Sequence, residues 1–222
     1  MKRIKEEFLN RLGGVISLNN LDILEIGSGD GTRTAQIAER CNKVVGIEPD
    51  EKLIQIAEQR NIPNASFQAG AGEKIDFKDN SYDMVIFTLS LHHIPVSKMT
   101  VAISEAIRVV KPDGYIVFLE PTETGSFFEA ELHFEASDGD ERAEKKAAHA
   151  AIKSHSGLHS VKEIIDETVF RFDSTNDFVN TLSPKKNLDE LDEFLKKHNY
   201  ILNAQRRLNI FKPTKNIQSK KS

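Results

Sequence analysis

The chain has 222 residues, 39% of them hydrophobic and 29% charged, which suits one domain with a sizeable core. A formal net charge of -4 gives no overall attraction to nucleic acid or to an anionic membrane, and the single cysteine, Cys41, excludes an internal disulfide. Since no apolar run approaches the roughly 18 residues that span a bilayer and the charged N-terminus lacks a signal peptide's apolar core, we expect a cytoplasmic protein with no membrane partner.

The first half of the chain alternates predicted helices and strands. One helix is expected within residues 1–20, before the first strand. Strands are predicted at residues 21–26, 43–47, 65–68, 82–88 and 115–119, and helices at 32–40, 50–60 and 97–110. This rhythm predicts an α/β fold: a doubly wound, mostly parallel, seven-stranded sheet with helices on both faces, its cofactor-binding core at residues 21–121.

The second half predicts more helix. The Ala-rich and charged stretch after residue 121 is helical in pattern, and the capping box from Ser160 to Glu163 predicts a helix start. Residues 122–166 are therefore expected to form a helical insertion between strands 5 and 6. Strands at 168–172 and 201–211 and a helix from Asn187 complete the segment 167–212, and residues 213–222 are expected to form a basic, solvated tail. The whole chain, 1–222, is predicted to be one domain.

Three glycines, Gly27, Gly29 and Gly31, stand directly after the first predicted strand, where ligands bind in parallel sheets. A nucleoside-triphosphate loop needs a lysine after the glycines, and the chain has none there. A dinucleotide fingerprint needs a third glycine one position later, where Thr32 stands. The spacing therefore argues against both phosphate ligands, including a nicotinamide cofactor.

Two acidic residues near the glycine turn favour a ligand other than a phosphate. Glu25, at the end of the first strand, would repel a pyrophosphate and attract an ammonium group. Glu48, after the second strand, stands where an acidic side chain accepts hydrogen bonds from ribose hydroxyls. A ligand with a ribose, an ammonium group and little negative charge is expected, and S-adenosylmethionine fits this description.

Four stretches carry a family resemblance: ILEIGSGDG, GIEPD, AGEKIDFKDNSYDMVIFTLSLHHI and IRVVKPDGYIVFLEP. With them the chain resembles the class I, seven-stranded S-adenosylmethionine-dependent methyltransferases, in the small-molecule subfamily (methyltransferase type 11-like) that includes enzymes of quinone biosynthesis. The specific motifs cover roughly residues 20–121.

The resemblance implies a role for individual residues. Glu25 would face the cofactor's amino group, Glu48 would take the ribose hydroxyls, and Thr88 with Leu89 would lie near the sulfonium. The full set of expected cofactor-binding residues is Glu25, Gly27, Ser28, Gly29, Gly31, Glu48, Pro49, Gly72, Glu73, Thr88 and Leu89. One departure stands out, because relatives often carry an Asp, which accepts from the adenine amino group, where this chain has Ala71.

Methyl transfer from a sulfonium is an in-line displacement, so positioning alone supplies much of the rate and no dedicated catalytic pair is expected. His92 and His93 could deprotonate or orient a hydroxyl acceptor, although we favour a packing role for the pair. Four further histidines have spacings that match no compact metal-ligand motif: His133, His149, His155 and His159. No metal is therefore predicted.

The insertion is expected to supply the acceptor pocket. Phe127, Phe128, His133 and Phe134 fit a lid or pocket wall and equally fit ordinary core packing. A small-molecule acceptor is predicted, with no nucleic-acid partner and a monomer or homodimer as the assembly. A non-catalytic cofactor sensor and a methyltransferase acting on RNA or protein stay open. The sequence does not name the acceptor.

Overall fold

Eight strands form one sheet in the order β1-β7-β8-β6-β5-β2-β3-β4. The computed structural model describes residues 1–214. The strands are β1 (Lys2–Lys5), β2 (Asp22–Ile26), β3 (Lys43–Glu48), β4 (Ala65–Ala69), β5 (Tyr82–Thr88), β6 (Val110–Pro121), β7 (Leu158–Arg171) and β8 (Ile201–Pro213). The helices are α1 (Phe8–Gly13), α2 (Thr32–Ala38), α3 (Glu51–Glu58), α4 (Val96–Val109), α5 (Ser126–Phe134), α6 (Arg142–Ser154), α7 (Thr175–Leu182) and α8 (Leu191–Lys197).

The central strands run parallel, and the sheet ends in antiparallel pairs on one side. Parallel ladders join β4 to β3, β3 to β2, β2 to β5 and β5 to β6. Antiparallel ladders join β6 to β8, β8 to β7 and β7 to β1. The predicted α/β class, a mostly parallel Rossmann-like sheet with helices, is therefore confirmed. Within residues 1–214 the strand count is eight rather than seven.

The additional strand lies where the sequence predicts only a helix. Each residue of β1 is exposed in part, and the strand pairs with β7 through Lys2 opposite Arg171. Its charged sequence carries no alternating pattern, so the strand depends on a distant partner edge and local propensity does not indicate it. The predicted helix of residues 1–20 is correspondingly short, at Phe8–Gly13.

The helix predicted to start at Ser160 is wrong. Residues 158–171 are a strand, β7, which pairs with β8 from Leu158 opposite Pro213 to Arg171 opposite Ile201. This long ladder satisfies the backbone of the segment, and a tertiary contact overrides the local capping signal. The helical insertion between β6 and β7 therefore ends before Leu158 and consists of α5 and α6.

The helix predicted from Asn187 begins later. Asn187 has a positive φ of 51°, and α8 starts at Leu191 with Glu190 as the N-terminal flanking residue. The final strand is found as predicted, and it extends to Pro213. Of the tail predicted at 213–222, residues 215–222 lie outside the described residues.

Alternating strand residues build a core on each face of the sheet. Leu24 and Phe87 belong to the cluster that packs against α4 and α6, whereas Ile23 and Ile86 belong to the cluster beneath α1 and α2. Cys41 packs half-buried against the second cluster. Within residues 1–214, no helix has the length and apolar character needed to cross a membrane.

A third core cluster lies around α5, α7 and α8 and contains two phenylalanines of the insertion. Phe127 and Phe134 are buried in it, 8% and 0% exposed. Phe128 lies under the Lys145 Nζ at 5.5 Å from its ring centre. His133 donates or accepts at the surface, with its Nε2 2.7 Å from Glu190 Oε2. Ordinary packing is therefore the better description of Phe127 and Phe134.

Candidate functional site

A cavity of about 780 Å³ lies at the carboxyl ends of β2, β3 and β5. Loops that follow these parallel strands meet there, as the topology of such sheets dictates. Its lining consists of Arg3, Ile26, Gly27, Ser28, Gly29, Asp30, Thr32, Arg33, Glu48, Pro49, Leu53, Gly70, Ala71, Gly72, Glu73, Thr88, Leu89, Ser90, His93, Ile94 and Pro95. Nine of the eleven predicted cofactor-binding residues are in this set, and Glu25 and Gly31 are not.

The glycine turn after β2 has three left-handed residues with different surroundings. Gly27, Gly29 and Gly31 have φ values of 73°, 54° and 78°. A Cβ at Gly31 would lie 2.9 Å from side-chain atoms of Ala57 and Phe67, so this glycine allows close packing of the turn. A Cβ at Gly29 would meet no atom within 4 Å. Gly29 is therefore the glycine whose missing side chain leaves open space in the cavity.

Glu48 closes the turn from the neighbouring strand. It is the last residue of β3 and is 8% exposed, yet it lines the cavity. Its Oε2 accepts from the Gly29 backbone N–H at 3.0 Å, and its Oε1 accepts from the Asp50 N–H at 3.1 Å. Two backbone donors fix the carboxylate, and each oxygen keeps a further lone pair for a ligand hydroxyl.

Glu25 is fully buried behind the cavity wall. Its two oxygens accept from the hydroxyls of Thr34 and Thr88, each at 2.6 Å. Burial raises the pKa of Glu25 to about 7, while the two threonine hydroxyls oppose this shift. Because Thr88 itself lines the cavity, Glu25 acts on that wall through Thr88, and direct contact with an ammonium group stays a prediction.

The loop after β4 forms a further part of the cavity wall. Gly72 is tightly packed, since a Cβ there would lie 2.9 Å from Ile26 and Ile94. Glu73 pairs with Lys98 at 2.9 Å, and this hydrogen bond lowers the pKa of Glu73. Ala71 lines the cavity as well. It stands where the family resemblance implies an Asp.

The two adjacent histidines have different surroundings. His92 is 4% exposed, and its Nδ1 lies 2.5 Å from Glu120 Oε2, which makes it part of the core and absent from the cavity lining. His93 lines the cavity, and its Nδ1 lies 3.3 Å from Glu141 Oε1, whose hydrogen bond raises the pKa of His93. The expected packing role therefore describes His92, whereas His93 faces the site.

The same histidines and Glu141 offer three ligand atoms within 4.8 Å of one another. The Lys145 ammonium lies 3.4 Å from Glu141 Oε2, so a cation already balances that carboxylate. Burial opposes ionisation of Glu141, but His93, His92 and Lys145 together lower its pKa to about 2. We still predict that these three residues bind no metal.

Several lining residues were missed by the sequence reasoning. Arg33 follows the glycine turn by two residues, and its charge beside that turn was a usable signal. Arg3 comes from β1 and reaches the cavity only through the β1–β7 pairing, which the local sequence does not indicate. Leu53, Ile94 and Pro95 add apolar walls without a motif of their own.

Residues 24–118 match the model of a methyltransferase domain, Methyltransf_11. The chain carries a methyltransferase domain. It is similar to the uncharacterized methyltransferase YcgJ of Bacillus subtilis (strain 168), 26% identical over 102 residues, which is 44% of this chain and 40% of the relative. It is also similar to the demethylmenaquinone methyltransferase of Renibacterium salmoninarum, 30% identical over 98 residues, again 44% of this chain and 40% of the relative.

Among solved structures, the domain resembles the N-methyltransferase NodS from Bradyrhizobium japonicum WM9 in complex with S-adenosyl-L-homocysteine. The TM-score is 0.57 at 16% identity, and the match covers 93% of this chain and 85% of that one. The two relatives above are matched over two fifths of their own length. The predicted resemblance to this methyltransferase class is confirmed.

Proposed function

We propose that this methyltransferase domain binds S-adenosylmethionine in the cavity and methylates a small-molecule acceptor. The observation that carries the proposal is the pair of Gly29 and Glu48, with open space over the glycine and a fixed carboxylate beside it. NodS, of similar fold, holds the product form of this cofactor. A cytoplasmic location and a monomer or homodimer belong to the same proposal.

The residues present fit this cofactor. Glu48 would accept the two ribose hydroxyls, because its oxygens retain acceptor capacity after the two backbone bonds. The open backbone at Gly29 would allow close approach of the ligand, and Gly72 with Glu73 would lie beside the adenine. Thr88 and Leu89 would lie near the sulfonium. The cofactor, when bound, supplies an activated methyl group.

The chain's own contribution to the reaction is placement. Its lining residues hold the acceptor in line with the transferred group, which supplies much of the rate without a dedicated acid or base. His93, which lines the cavity, would be able to take or hold a proton from a hydroxyl acceptor. His92 is held in the core by Glu120 and does not reach the acceptor.

A small acceptor is supported by the size of the site. The cavity of about 780 Å³ falls in the range of small-molecule pockets, and its walls include Leu53, Leu89 and Ile94 beside the polar groups. Part of this volume belongs to the cofactor. The space that remains suits a compact molecule better than a helix or a strand of nucleic acid.

A labelled-methyl transfer assay tests the proposal. Labelled S-adenosylmethionine and the full chain are incubated with pooled metabolites and, in parallel, with total RNA, DNA and protein extract. Label in the metabolite fraction is the expected result. Label only in a macromolecular fraction, lost when that fraction is digested, would replace the small acceptor by a macromolecule. Tight cofactor binding with no label anywhere would favour the sensor.

A further inference from the structure

Two acids from separate elements hold the two histidines that follow β5. Glu120, on β6, places its Oε2 at 2.5 Å from His92 Nδ1. Its Oε1 accepts from the backbone N–H groups of Ser90 and Leu91 at 3.2 and 3.0 Å. Glu120 is 6% exposed, so these bonds lie in the protein interior. The turn that carries the histidines is therefore fixed to β6.

Glu141, the residue directly before α6, holds the second histidine. Its Oε1 lies 3.3 Å from His93 Nδ1, and its side chain is 15% exposed. Its Oε2 lies 3.4 Å from the Lys145 ammonium and 4.0 Å from His92 Nε2. The Lys145 side chain is 4% exposed and also contacts Glu131 at 3.3 Å. Lys145 therefore fixes one oxygen of Glu141 and leaves the other to His93.

This arrangement determines which nitrogen of His93 can serve a ligand. A contact between Nδ1 and the Glu141 carboxylate selects the neutral ring form in which Nδ1 carries the proton, so the lone pair stays on Nε2. The His93 side chain is 49% exposed and lines the cavity. His92 is outside the lining and 4% exposed. His93 is thus the histidine of the pair that a ligand in the cavity can reach.

The charges around His93 favour uptake of a proton. Hydrogen bonding to Glu141 raises the pKa of His93, burial opposes this change, and the charges of Asp138 and Glu120 raise the pKa further. The His92 ring lies 4.1 Å from the His93 ring, measured between their centres. A histidine with an acid on Nδ1 and a lone pair on Nε2 has the arrangement of a general base.

An oxygen acceptor needs such a base more than a nitrogen acceptor does. An amine nitrogen can carry the positive charge that methylation leaves, and it releases its proton to water afterwards. A hydroxyl oxygen holds that charge poorly, so its proton must leave as the new bond forms. The pKa of a phenol lies much closer to that of imidazole than the pKa of an alcohol does, so a phenolic or enolic hydroxyl suits this base.

We propose that Glu141 is a positioning residue that holds His93 as the general base for a phenolic or enolic hydroxyl on the methyl acceptor. The proposal rests on the function proposed above and narrows the acceptor to this class. The hydroxyl proton passes to His93 Nε2 while the oxygen bonds to the methyl carbon. The carbon–sulfur bond breaks, and its electron pair stays on sulfur. His93, which is half-exposed, then releases the proton to water.

Histidine NMR on the full chain tests the positioning step without an acceptor. Glu141→Gln keeps the shape of the side chain and removes its charge, and Glu129→Gln, an exposed acid on α5 of the same insertion, is the matched control. His93→Gln identifies the resonances. In the parent and the control we expect Nδ1 to be protonated in the neutral ring and the pKa of His93 to lie above its ordinary value. The pKa should fall in Glu141→Gln. An unchanged pKa there, or a neutral parent ring protonated at Nε2, would overturn the positioning role.

The labelled-methyl assay with pooled metabolites tests the reaction. A cation exchanger retains methylated amines, and alkali hydrolyses methyl esters but leaves ethers intact. We expect label in ethers, reduced about a hundredfold in His93→Gln, less strongly in Glu141→Gln, and unchanged in Glu129→Gln. All three variants should keep their affinity for S-adenosylhomocysteine, and a thermal melt reports whether each is folded.

The pH profile of label transfer connects the two measurements. His93 must be neutral to take a proton, so activity should fall as the pH drops through the pKa that NMR reports. This fall should move to lower pH in Glu141→Gln. Label in amines or esters, or a profile that does not follow the pKa, would overturn the general base and leave the proposed function standing.

Loss of S-adenosylhomocysteine affinity in both His93→Gln and Glu141→Gln would assign the pair to cofactor binding and also overturn the base. Failure of the parent to bind S-adenosylhomocysteine, or to transfer label to any fraction, would remove the proposed function itself.

Discussion

The backbone N–H of Gly29 donates to the Glu48 carboxylate at 3.0 Å, which joins the turn after β2 to the end of β3. The open position of the turn and the Glu48 carboxylate are therefore fixed relative to each other. The parallel pairing of β2 with β3, with Ile26 opposite Ile47, brings the two strand ends to the same edge. The site is thus a product of sheet register as much as of its motifs.

Glu48→Ala should weaken binding of S-adenosylmethionine by roughly 1–3 kcal/mol, because the ribose hydroxyls lose a charged acceptor. Calorimetry on the parent and the variant measures this directly. Glu58→Ala, an exposed change on α3, is the matched control and should leave the affinity unaltered. An unchanged dissociation constant in Glu48→Ala would remove this carboxylate from the cofactor site.

Gly29→Val and Gly31→Val should fail in different ways. At Gly29 a side chain enters open space, so cofactor binding should be lost while the fold survives a left-handed strain of about 1–2 kcal/mol. At Gly31 the new atoms meet Ala57 and Phe67 at 2.9 Å, so the main loss should be stability. Thermal melts and cofactor titrations separate the two effects. Near-parental affinity in Gly29→Val would contradict the assignment of the turn.

Glu25 should make the stability of the protein depend on pH. Its pKa in the folded chain, about 7, lies above the ordinary value of 4.5, because burial penalises the carboxylate. The folded state therefore holds this proton more tightly. The resulting stabilisation is complete below pH 4.5 and is lost as the pH rises through 7, a change on the order of 3 kcal/mol.

Glu25→Gln isolates this contribution, since the amide keeps the shape of the side chain and has no charge to bury. Relative to the parent, the variant should gain free energy of unfolding between about pH 5 and pH 8.5, measured by urea denaturation at both values. Other titrating groups cancel in the comparison. A difference between parent and variant that is the same at both pH values would mean that the buried carboxyl does not titrate in this range.

The cofactor half of the fold could be predicted from the sequence because its signals are local. β5 contains the apolar run from Met84 to Phe87, and the glycine turn and Glu48 line the cavity at the carboxyl ends of the strands. The second half of the fold could not be predicted in this way, because its strands form by pairing with segments that are distant in the sequence. β7 exists through its pairing with β8, and the capping pattern at Ser160 pointed to a helix.

The residues of the candidate site divide in the same way, into those that local motifs predict and those that tertiary contacts place. Gly29 and Glu48 belong to motifs and line the cavity as expected. Glu25 carries the right charge, but two threonine hydroxyls occupy its oxygens, which no spacing in the sequence indicates. Arg3 reaches the site only because β1 pairs with the edge of the sheet. Local sequence patterns do not predict side chains that reach the site through long-range strand pairing.

Ala71→Asp should strengthen binding of S-adenosylhomocysteine. Ala71 lines the cavity beside Gly72 and Glu73. The family resemblance implies an Asp at this position, which would accept from the adenine amino group. Restoring that acceptor adds one hydrogen bond on the order of 1 kcal/mol, about a fivefold gain in affinity. Calorimetry with S-adenosylhomocysteine and with S-inosylhomocysteine, which lacks the amino group, measures it, and the gain should be confined to the adenine ligand. An equal gain for both ligands would point to general electrostatics, and no gain for either would mean that the adenine lies away from Ala71.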